Sequence, residues 1–315
     1  MTLEKCYYIF YVWFLEAYLH KVLELKDLKQ ITVIGTGLLG GSISLTALRT
    51  FPDVKVVAYA HRSATRQKAK VLAVASEIVG DIKLSVSNAD LVTLATPIHT
   101  FEKIFGTIAE ALPKGCIVTD VGSTKVLPHR WAAKKLPSTV HYVGSHPIAG
   151  SEKRGIEFAR DDMFENAICI LTTTKGHNTS AVRMLKKFWS ALGCSVYLMK
   201  PARHDKIFAN ISHLPHIAAA ALVNSSNTEE LKLAGKGFID TSRIASGPAN
   251  IWADVLFTNV KNTAKGIDKI IAELLKIKKA IESGDKKEIG KLLKKARDKR
   301  AAMIKYKLKK NELIP

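Results

Sequence analysis

The chain has few cysteines, and their arrangement does not suggest a metal site. Its 315 residues include four of them, and no two form a C-x-x-C pair. Cys116, Cys169 and Cys194 lie in apolar, strand-like runs, where a free cysteine commonly packs as a small hydrophobic side chain. We find no metal-ligand cluster and predict no metal. Free thiols favour a reducing compartment, so we expect a cytoplasmic protein.

Long hydrophobic runs are also missing. Residues 6–15 are ten consecutive apolar residues, whereas a transmembrane helix needs ~20. A signal peptide is an alternative, although Glu4 precedes the run and no small-residue cleavage site follows it. We favour a helix that packs on the body of the protein or on a partner, and a misassigned start codon is a third explanation. We therefore treat residues 1–28 as an N-terminal extension and expect no membrane association.

Acidic residues are scarce relative to basic ones. The chain has 48 Lys and Arg against 28 Asp and Glu, a net charge of +20. Many of the basic residues fall near the C-terminus, in runs such as residues 276–279 and 294–297. A nucleic-acid-binding patch would explain them, but so does a solvated, lysine-rich helical surface, and we expect no nucleic acid. The excess positive charge also attracts small anionic substrates.

From residue 30 onward the pattern alternates between strand and helix. Short apolar runs predict strands at residues 31–34, 54–60, 90–96, 116–120, 141–144, 167–172 and 195–199. Later patterns predict only helices, at residues 204–224, 228–234, 248–279 and 286–309. The chain is therefore predicted to be α/β, with a Rossmann-type dinucleotide-binding domain at residues 29–200 and an all-helical domain at residues 201–315. The apolar stripe of the second domain, which includes Ile271 and Leu274, is either core or a dimer face.

A glycine-rich turn, GTGLLG at residues 35–40, follows the first predicted strand. In such a turn Gly35 permits the tight bend, Gly37 lets the backbone approach a pyrophosphate, and Gly40 lets the helix pack close to the strand. The helix, opened by Leu38 and Leu39, offers free N–H groups and a positive dipole end to phosphates. We predict a dinucleotide site here; a glycine-rich turn without a ligand is the alternative.

The second predicted strand ends without the acidic residue that would bind the adenosine ribose hydroxyls. His61, Arg62, Ser63 and Arg66 could bind a 2′-phosphate instead, because a planar guanidinium matches phosphate oxygens. We therefore predict NADP in preference to NAD. Alternatively, Arg62 is a surface residue and NAD binds through other groups.

Further polar segments follow the later strands. Thr96 and Pro97 lie at the end of the third strand, on the nicotinamide side, and residues 120–125 begin at the end of the fourth. Open α/β sheets bind ligands at the carboxyl ends of their parallel strands. Residues 144–155 read GSHPIAGSEKRG and place His146 in a predicted loop. A loop histidine beside a nucleotide site suggests hydride transfer with a proton acceptor at hand.

Taken together, these motifs resemble the prephenate and arogenate dehydrogenases of tyrosine biosynthesis. The motifs are GxGxxGG at residues 35–41, ATPxxxF at 95–101, DxGSxK at 120–125, GxHPIAGxEKxG at 144–155, SHLPH at 212–216 and FxDxxR at 238–243. The resemblance implies oxidative decarboxylation of prephenate to 4-hydroxyphenylpyruvate, or of arogenate to tyrosine. Hydride would pass from ring carbon C4 to NAD(P), and no metal is implied.

The resemblance also assigns roles to residues. His146 matches the histidine that hydrogen-bonds the 4-hydroxyl group and takes up developing positive charge, and Ser123 matches the serine near it. An N-cap of the next helix is the alternative for Ser123. Arg243 matches the arginine that binds a substrate carboxylate, which a bidentate pair would orient. His216 matches the histidine that contacts the substrate side chain and, in some members, the inhibitor tyrosine.

Three more residues are candidates for substrate binding, with weaker assignments: His213, Glu152 and Lys153. For His213 a structural role is the stronger expectation, and the roles of Glu152 and Lys153 stay open. The resemblance further implies that the helical domain carries dimerisation and substrate binding, so we expect a homodimer. The choice between prephenate and arogenate, and inhibition by tyrosine, stay open.

Two other functions are alternatives for a chain with a dinucleotide-binding turn and a basic C-terminal part. A β-hydroxyacid-type dehydrogenase of the same two-domain plan would use a lysine of the helical domain as its base, which would leave His146 without a role. A nucleotide-binding sensor or nucleic-acid binder would bind cofactor without turnover and show salt-sensitive affinity for DNA or RNA.

Overall fold

The structure is a computed structural model that describes residues 25–150, 153–174, 176 and 178–310. Two sequence predictions lie outside the described residues: the apolar segment at residues 6–15 and the site candidate Glu152. In the described part the fold has the predicted class, a Rossmann-like α/β unit followed by helices.

Six parallel strands form the central sheet. They are β1 (Gln30–Ile34), β2 (Lys55–Tyr59), β3 (Glu77–Val79), β4 (Leu91–Leu94), β5 (Ile117–Asp120) and β6 (His141–Tyr142). Their order is β3-β2-β1-β4-β5-β6, so the chain builds one half of the sheet from β1 outward and then returns to build the other half beside it. The strand order reverses between β1 and β4, and the crevice at their carboxyl ends is where open sheets of this kind bind ligands. The edge strand β3 was not predicted, because three residues leave too short a pattern.

Helices cover both faces of this sheet. They are α1 (Leu38–Thr50), α2 (Ser63–Val71), α3 (Ile82–Val86), α4 (Phe101–Ile108), α5 (Val126–Lys135) and α6 (Thr179–Ala191). Successive residues of β1 face opposite sides, as the pleat requires. Ile31 therefore packs in one core with Phe188, and Ile34 packs in the other with Phe101. Burial on both sides explains why β1 is apolar at Ile31, Val33 and Ile34, on both faces, without the alternation of a half-exposed strand.

A second sheet of three strands follows, which the predicted strands at residues 141–144, 167–172 and 195–199 did not distinguish from the first sheet. It contains β7 (Gly144–Ile148), β8 (Ile168–Thr172) and β9 (Ser195–Met199), in the order β7-β8-β9. β7 runs antiparallel to β8, and β8 runs parallel to β9. Pro147 has no backbone N–H and therefore suits an edge strand such as β7. His146 pairs with Ile170 in this ladder, so it lies on a strand and not in the predicted loop.

Past Met199 the described residues form helices only. These are α7 (Pro201–Phe208), a π-helical turn (Ala209–His213), α8 (Leu214–Asn224), α9 (Thr228–Lys232), α10 (Lys236–Ser242), a 3-10 turn (Arg243–Ser246), α11 (Ala249–Thr258), α12 (Val260–Glu282) and α13 (Lys286–Lys309). The predicted continuous helix at residues 204–224 is interrupted by the π-helical turn. Pro215 explains it, because its ring nitrogen cannot donate to the carbonyl four residues earlier. The predicted helix at residues 248–279 is divided at Asn259.

Among the described residues, no helix is both long enough and apolar enough to cross a bilayer. The division into an extension, a dinucleotide-binding domain and a helical domain at residues 28 and 200 stays a prediction.

Candidate active site

The glycine turn after β1 has the shape that a dinucleotide requires. Gly35 has φ of +101°, which favours glycine, and a Cβ there would lie 2.8 Å from the Thr96 side chain. A Cβ on Gly40 would lie 1.8 Å from the Gly35 carbonyl oxygen, so α1 approaches the turn as closely as it does only because residue 40 has no side chain. Gly37 has open space where its Cβ would be, and no side chain caps the first turn of α1. The free backbone N–H groups at the start of α1 and the open space beside Gly37 fit a pyrophosphate.

The end of β2 carries the residues predicted to select the cofactor. His61, Arg62 and Ser63 are exposed, and α2 begins at Ser63 with Arg62 at its N-cap position. Arg66 is placed differently, because its Nη1 donates to the carbonyl oxygens of Ala60 (3.0 Å) and His61 (2.8 Å). In this structure the Arg66 guanidinium therefore supports the β2–α2 turn, and Arg62 and Ser63 form the part that faces solvent.

The segment after β4 lies directly against the glycine turn. Thr96 contacts the Gly35 position, and its hydroxyl lies 2.7 Å from the hydroxyl of Thr100. Pro97 precedes a 3-10 turn at Ile98–Thr100 that leads into α4. Thr96 and Pro97 thus lie at the carboxyl edge of the sheet, beside the turn that would hold the phosphates.

The turn that contains Ser123 is held at both ends. At its start the Gly122 N–H donates to Asp120 Oδ1 (2.6 Å), and the buried Lys125 ammonium pairs with the same carboxylate. At its end the Lys125 N–H donates to Asp205 Oδ1 (2.7 Å). Ser123 is half-buried within this turn. The N-cap position of α5 is Lys125, so the alternative that Ser123 caps the helix is wrong.

His146 is enclosed by aromatic rings from α7. Its Nδ1 lies 2.8 Å from His204 Nε2, and its ring centroid lies 4.8 Å from that of Phe208. Burial lowers the pKa of His146 well below 6.5, and the positive charge of the nearby Lys125 lowers it further. At neutral pH the His146 ring is therefore uncharged, and one of its nitrogens carries a lone pair that can accept a proton.

His204 and Asp205 were not singled out in the sequence. Both are buried, and His204 Nδ1 lies 2.8 Å from Asp205 Oδ1. Asn259 donates from Nδ2 to the Asp205 carbonyl oxygen (2.7 Å) and lies 3.4 Å from His213 Nδ1. No spacing rule joins residues 204 and 146, because strand β7 and helix α7 meet only in the folded chain.

The two histidines of the SHLPH motif are both buried and share one aromatic neighbour. His216 stacks on Trp252, with centroids 3.7 Å apart and planes 7° apart, and its Nδ1 lies 3.0 Å from the Ile244 carbonyl oxygen. His213 meets the same indole edge-on, and its Nε2 has no hydrogen-bond partner among the described residues. Burial lowers the pKa of His213 to about 4, so it too is neutral. The hydrogen bond between His216 and the Ile244 carbonyl oxygen joins α8 to the 3-10 turn that begins at Arg243.

Two further substrate-binding candidates, Arg243 and Lys153, lie at the surface. Arg243 is exposed at the start of its 3-10 turn, and Lys153 is exposed with its ammonium 5.2 Å from the Phe158 ring centroid. The structure places Arg243 beside His216 through the backbone of Ile244.

Helix α11 joins the helical part of the chain to the first part. Asp254 Oδ2 lies 2.5 Å from His99 Nδ1, and the Thr124 hydroxyl donates to the Thr258 hydroxyl at 2.9 Å. Both partners of α11 follow strands of the central sheet, His99 after β4 and Thr124 after β5. The carboxyl edge of the sheet and the helices therefore meet at the site.

Comparisons with known proteins agree with this arrangement. Residues 44–198 match the family model described as the nucleotide-binding domain of prephenate dehydrogenase, and residues 200–295 match the model of its dimerization domain. The prephenate dehydrogenase of Bacillus subtilis (strain 168) is 32% identical over 284 residues, which cover 88% of this chain and 76% of that protein.

Two solved structures are similar along most of their length. Prephenate dehydrogenase from A. aeolicus, in complex with hydroxyphenyl propionate and NAD+, has a TM-score of 0.82 and 30% identity, covering 88% of this chain and 98% of that one. Synechocystis arogenate dehydrogenase has a TM-score of 0.75 and 27% identity, covering 87% and 99%. The chain therefore belongs to the prephenate dehydrogenase family of NAD(P)-dependent oxidoreductases.

Proposed function

We propose that this chain catalyses the NAD(P)-dependent oxidative decarboxylation of prephenate or arogenate, a step of tyrosine biosynthesis. The observation that carries the proposal is His146: an uncharged imidazole, held by His204, in a domain whose glycine turn fits a dinucleotide. Family membership supplies the substrate class, and the relatives include both a prephenate dehydrogenase and an arogenate dehydrogenase.

His146 acts as the proton acceptor. The hydroxyl on ring carbon C4 gives its proton to His146 as the C4–O bond gains double-bond character. The ring carboxylate then leaves as CO2, the electron pair of the broken C–C bond stays in the ring as it becomes aromatic, and the phenolic oxygen takes a proton back. A bound nicotinamide supplies the acceptor for the C4 hydride. Because burial keeps His146 uncharged, its lone pair is available at neutral pH.

The other candidate residues bind and orient the substrate. Ser123, in its clamped turn, hydrogen-bonds the 4-hydroxyl group near His146. Arg243 pairs with a substrate carboxylate, since its planar fork gives two parallel hydrogen bonds. His216 contacts the substrate side chain, and His213 supports it from the same helical run. Glu152 and Lys153, which follow β7 along the chain, are also proposed to contact the substrate.

The cofactor is proposed to be NADP in preference to NAD. The exposed Arg62 and Ser63 at the start of α2 support a 2′-phosphate, and no acidic residue lies in residues 58–66 to repel it. Leu38, Leu39, Thr96 and Pro97 border the phosphate and nicotinamide regions.

The proposed assembly is a homodimer formed through the helical part. Its support is the match to the dimerization-domain model and the exposure of Ile271, Leu274 and Leu275 on α12, roughly half or more of each side chain. These residues belong to the stripe that the sequence left open between core and dimer face. Inhibition by tyrosine is proposed to act through His216. The free, buried thiols of Cys116, Cys169 and Cys194 support a cytoplasmic location.

One assay tests the proposed function. The purified protein is mixed with NAD or NADP and with prephenate or arogenate, and the absorbance of reduced cofactor is followed in all four combinations. Turnover in any combination supports the reaction, and the best combination identifies substrate and cofactor. If cofactor binds but no combination gives turnover, the proposed function is wrong.

A further inference from the structure

Three side chains form a hydrogen-bonded line that ends on the proposed proton acceptor. His146 Nδ1 lies 2.8 Å from His204 Nε2, and His204 Nδ1 lies 2.8 Å from Asp205 Oδ1. His204 and Asp205 are both nearly fully buried. Phe208 stacks on the His204 ring, with centroids 4.4 Å apart and planes 22° apart, which restricts its rotation.

The protons in this line can be assigned from the Asp205 end. Asp205 accepts from two backbone N–H groups, Lys125 at 2.7 Å and Val126 at 2.9 Å, one on each carboxylate oxygen. Burial raises the pKa of Asp205, but the two donors suit the ionised carboxylate, which can only accept. The proton between Asp205 and His204 therefore lies on His204 Nδ1.

The proton on His204 also determines which nitrogen of His146 carries a proton. A neutral imidazole carries one N–H, so a proton on His204 Nδ1 leaves His204 Nε2 as an acceptor. The only proton that can fill the 2.8 Å contact between the two rings is then the one on His146 Nδ1. His146 Nε2 is left with the lone pair.

We propose that His204 and Asp205 are positioning residues that hold His146 in the Nδ1–H tautomer, so that Nε2 receives the proton of the substrate hydroxyl. The inference rests on the proposed function only for the identity of that hydroxyl; the tautomer itself is a property of this fold. When His146 becomes charged it keeps an acceptor in His204, which in turn keeps one in Asp205. This is the logic by which a buried carboxylate orients a catalytic histidine in hydrolases, here with a second imidazole between them.

Two features of the surroundings suit this role. Burial, with the nearby Lys125 charge, lowers the pKa of His204 to about 2, so His204 stays neutral and does not itself take the proton. Asp205 also fixes the end of the turn that contains Ser123, through its hydrogen bonds from Lys125 and Val126. One carboxylate from the helical part thus positions both proposed catalytic side chains of the first part.

The test is nitrogen-15 NMR of the histidine side chains at pH 7 in the full-length protein without substrate. The His146 signals are identified by their loss in a His146→Asn variant. The expected result is a protonated Nδ1 and an unprotonated Nε2 on His146. A proton on Nε2, or on both nitrogens, would overturn the proposal whatever the enzyme turns over. Failure of the proposed function would appear separately, as an absence of turnover with a normal His146 tautomer.

Two substitutions make the test specific. In His204→Leu, His146 Nδ1 loses its acceptor, so we expect the Nε2–H tautomer to appear and kcat to fall about 10- to 100-fold, with the substrate KM changed less than about threefold. Phe208→Leu is the matched control, since it disturbs packing on both rings and removes no hydrogen bond; it should keep the wild-type tautomer. A normal tautomer and normal kcat in His204→Leu would contradict the proposal.

A conservative variant covers the case in which His204→Leu does not fold. His204→Gln offers an amide oxygen that can accept from His146 Nδ1. We expect it to retain the Nδ1–H tautomer in most molecules and a kcat above that of any folded variant without an acceptor. A His204→Gln protein that melts normally but shows the Nε2–H tautomer together with wild-type kcat would mean that the tautomer does not matter.

Discussion

At the scale of single residues, the environment of His146 determines how the chain can use it. The same residue type would be half-charged near pH 6.5 in water, but burial against Phe208 and His204 moves its pKa well below that value. A base is active in its uncharged form, so a lowered pKa extends the active range toward acid. Because the buried ring stays uncharged, protons from the solvent do not occupy the nitrogen that is proposed to accept the substrate proton.

The first prediction concerns the pH dependence of kcat/KM. Protonation of His146 inactivates the base, and the pKa of that step is lowered by burial. We therefore expect kcat/KM to stay level as the pH falls through about 6.5, and to decline only in more acidic buffer. The measurement is a profile of initial rates at limiting substrate. A half-maximal point at or above pH 6.5 would show that His146 is not held as described.

The second prediction concerns cofactor choice. Arg62 is exposed at the start of α2, and Arg66 is engaged with backbone carbonyls. Replacing Arg62 with alanine should therefore weaken NADP by roughly 10- to 100-fold, the range for a lost hydrogen bond to a charged group, and leave NAD nearly unchanged. Lys70→Ala, an exposed basic residue at the other end of α2, is the control. Equal losses for both cofactors in Arg62→Ala would argue against 2′-phosphate recognition.

At the scale of elements, structure that depends on a short stretch of sequence was predicted well, whereas structure that depends on contacts between distant segments was not. The glycine turn, α1 and β1 follow from a short stretch of sequence in which every residue favours the same structure. The second sheet was missed because the departure of β7 from the first sheet depends on pairing with β8, whose residues lie 20 to 28 positions further along the chain than their partners. His204 was missed for the same reason, since only the packing of α7 on β7 brings it to His146.

The third prediction uses two glycines of the turn that differ in their surroundings. Gly40→Ala would place a methyl group on the Gly35 carbonyl oxygen, so it should destabilise the fold by about 1–3 kcal/mol or more and abolish cofactor binding. Gly37→Ala meets open space and has φ of −81°, so stability should change by less than about 0.5 kcal/mol.

The methyl group of Gly37→Ala would nevertheless occupy the space proposed for the pyrophosphate. We expect its cofactor dissociation constant to rise at least about tenfold, equivalent to ~1.4 kcal/mol. Thermal melting and cofactor titration separate the two variants. Unchanged cofactor affinity in Gly37→Ala would place the phosphates elsewhere.

At the scale of the whole molecule, buried neutral histidines link stability to pH. Burial lowers the pKa of His204 to about 2 and the pKa values of His129 and His213 to about 4, against 6.5 for a free imidazole. Below pH 6.5 the unfolded chain binds protons that the folded chain does not. Stability is therefore complete above about pH 6.5 and is lost as the pH falls from there toward the folded-state values.

The fourth prediction gives this loss a magnitude. Between pH 7 and pH 5 each of these three histidines should lower the free energy of unfolding by up to about 2 kcal/mol. Urea unfolding at the two pH values measures the difference. His129→Gln keeps a polar group near Thr172 but cannot be protonated. The fall in its free energy of unfolding between pH 7 and pH 5 should therefore be smaller than in wild type, by the contribution of one histidine. An identical difference in His129→Gln and wild type would mean that His129 is not held neutral by the fold.

The central claim is that His146 accepts the substrate proton in a fold that binds the cofactor independently. The most direct measurement compares wild type with His146→Asn, using the substrate and cofactor pair that gives the highest turnover. We predict that kcat/KM falls by about 10²- to 10⁴-fold, as expected for loss of a general base, while the cofactor dissociation constant stays within about twofold. Turnover retained in a folded His146→Asn protein would contradict the account.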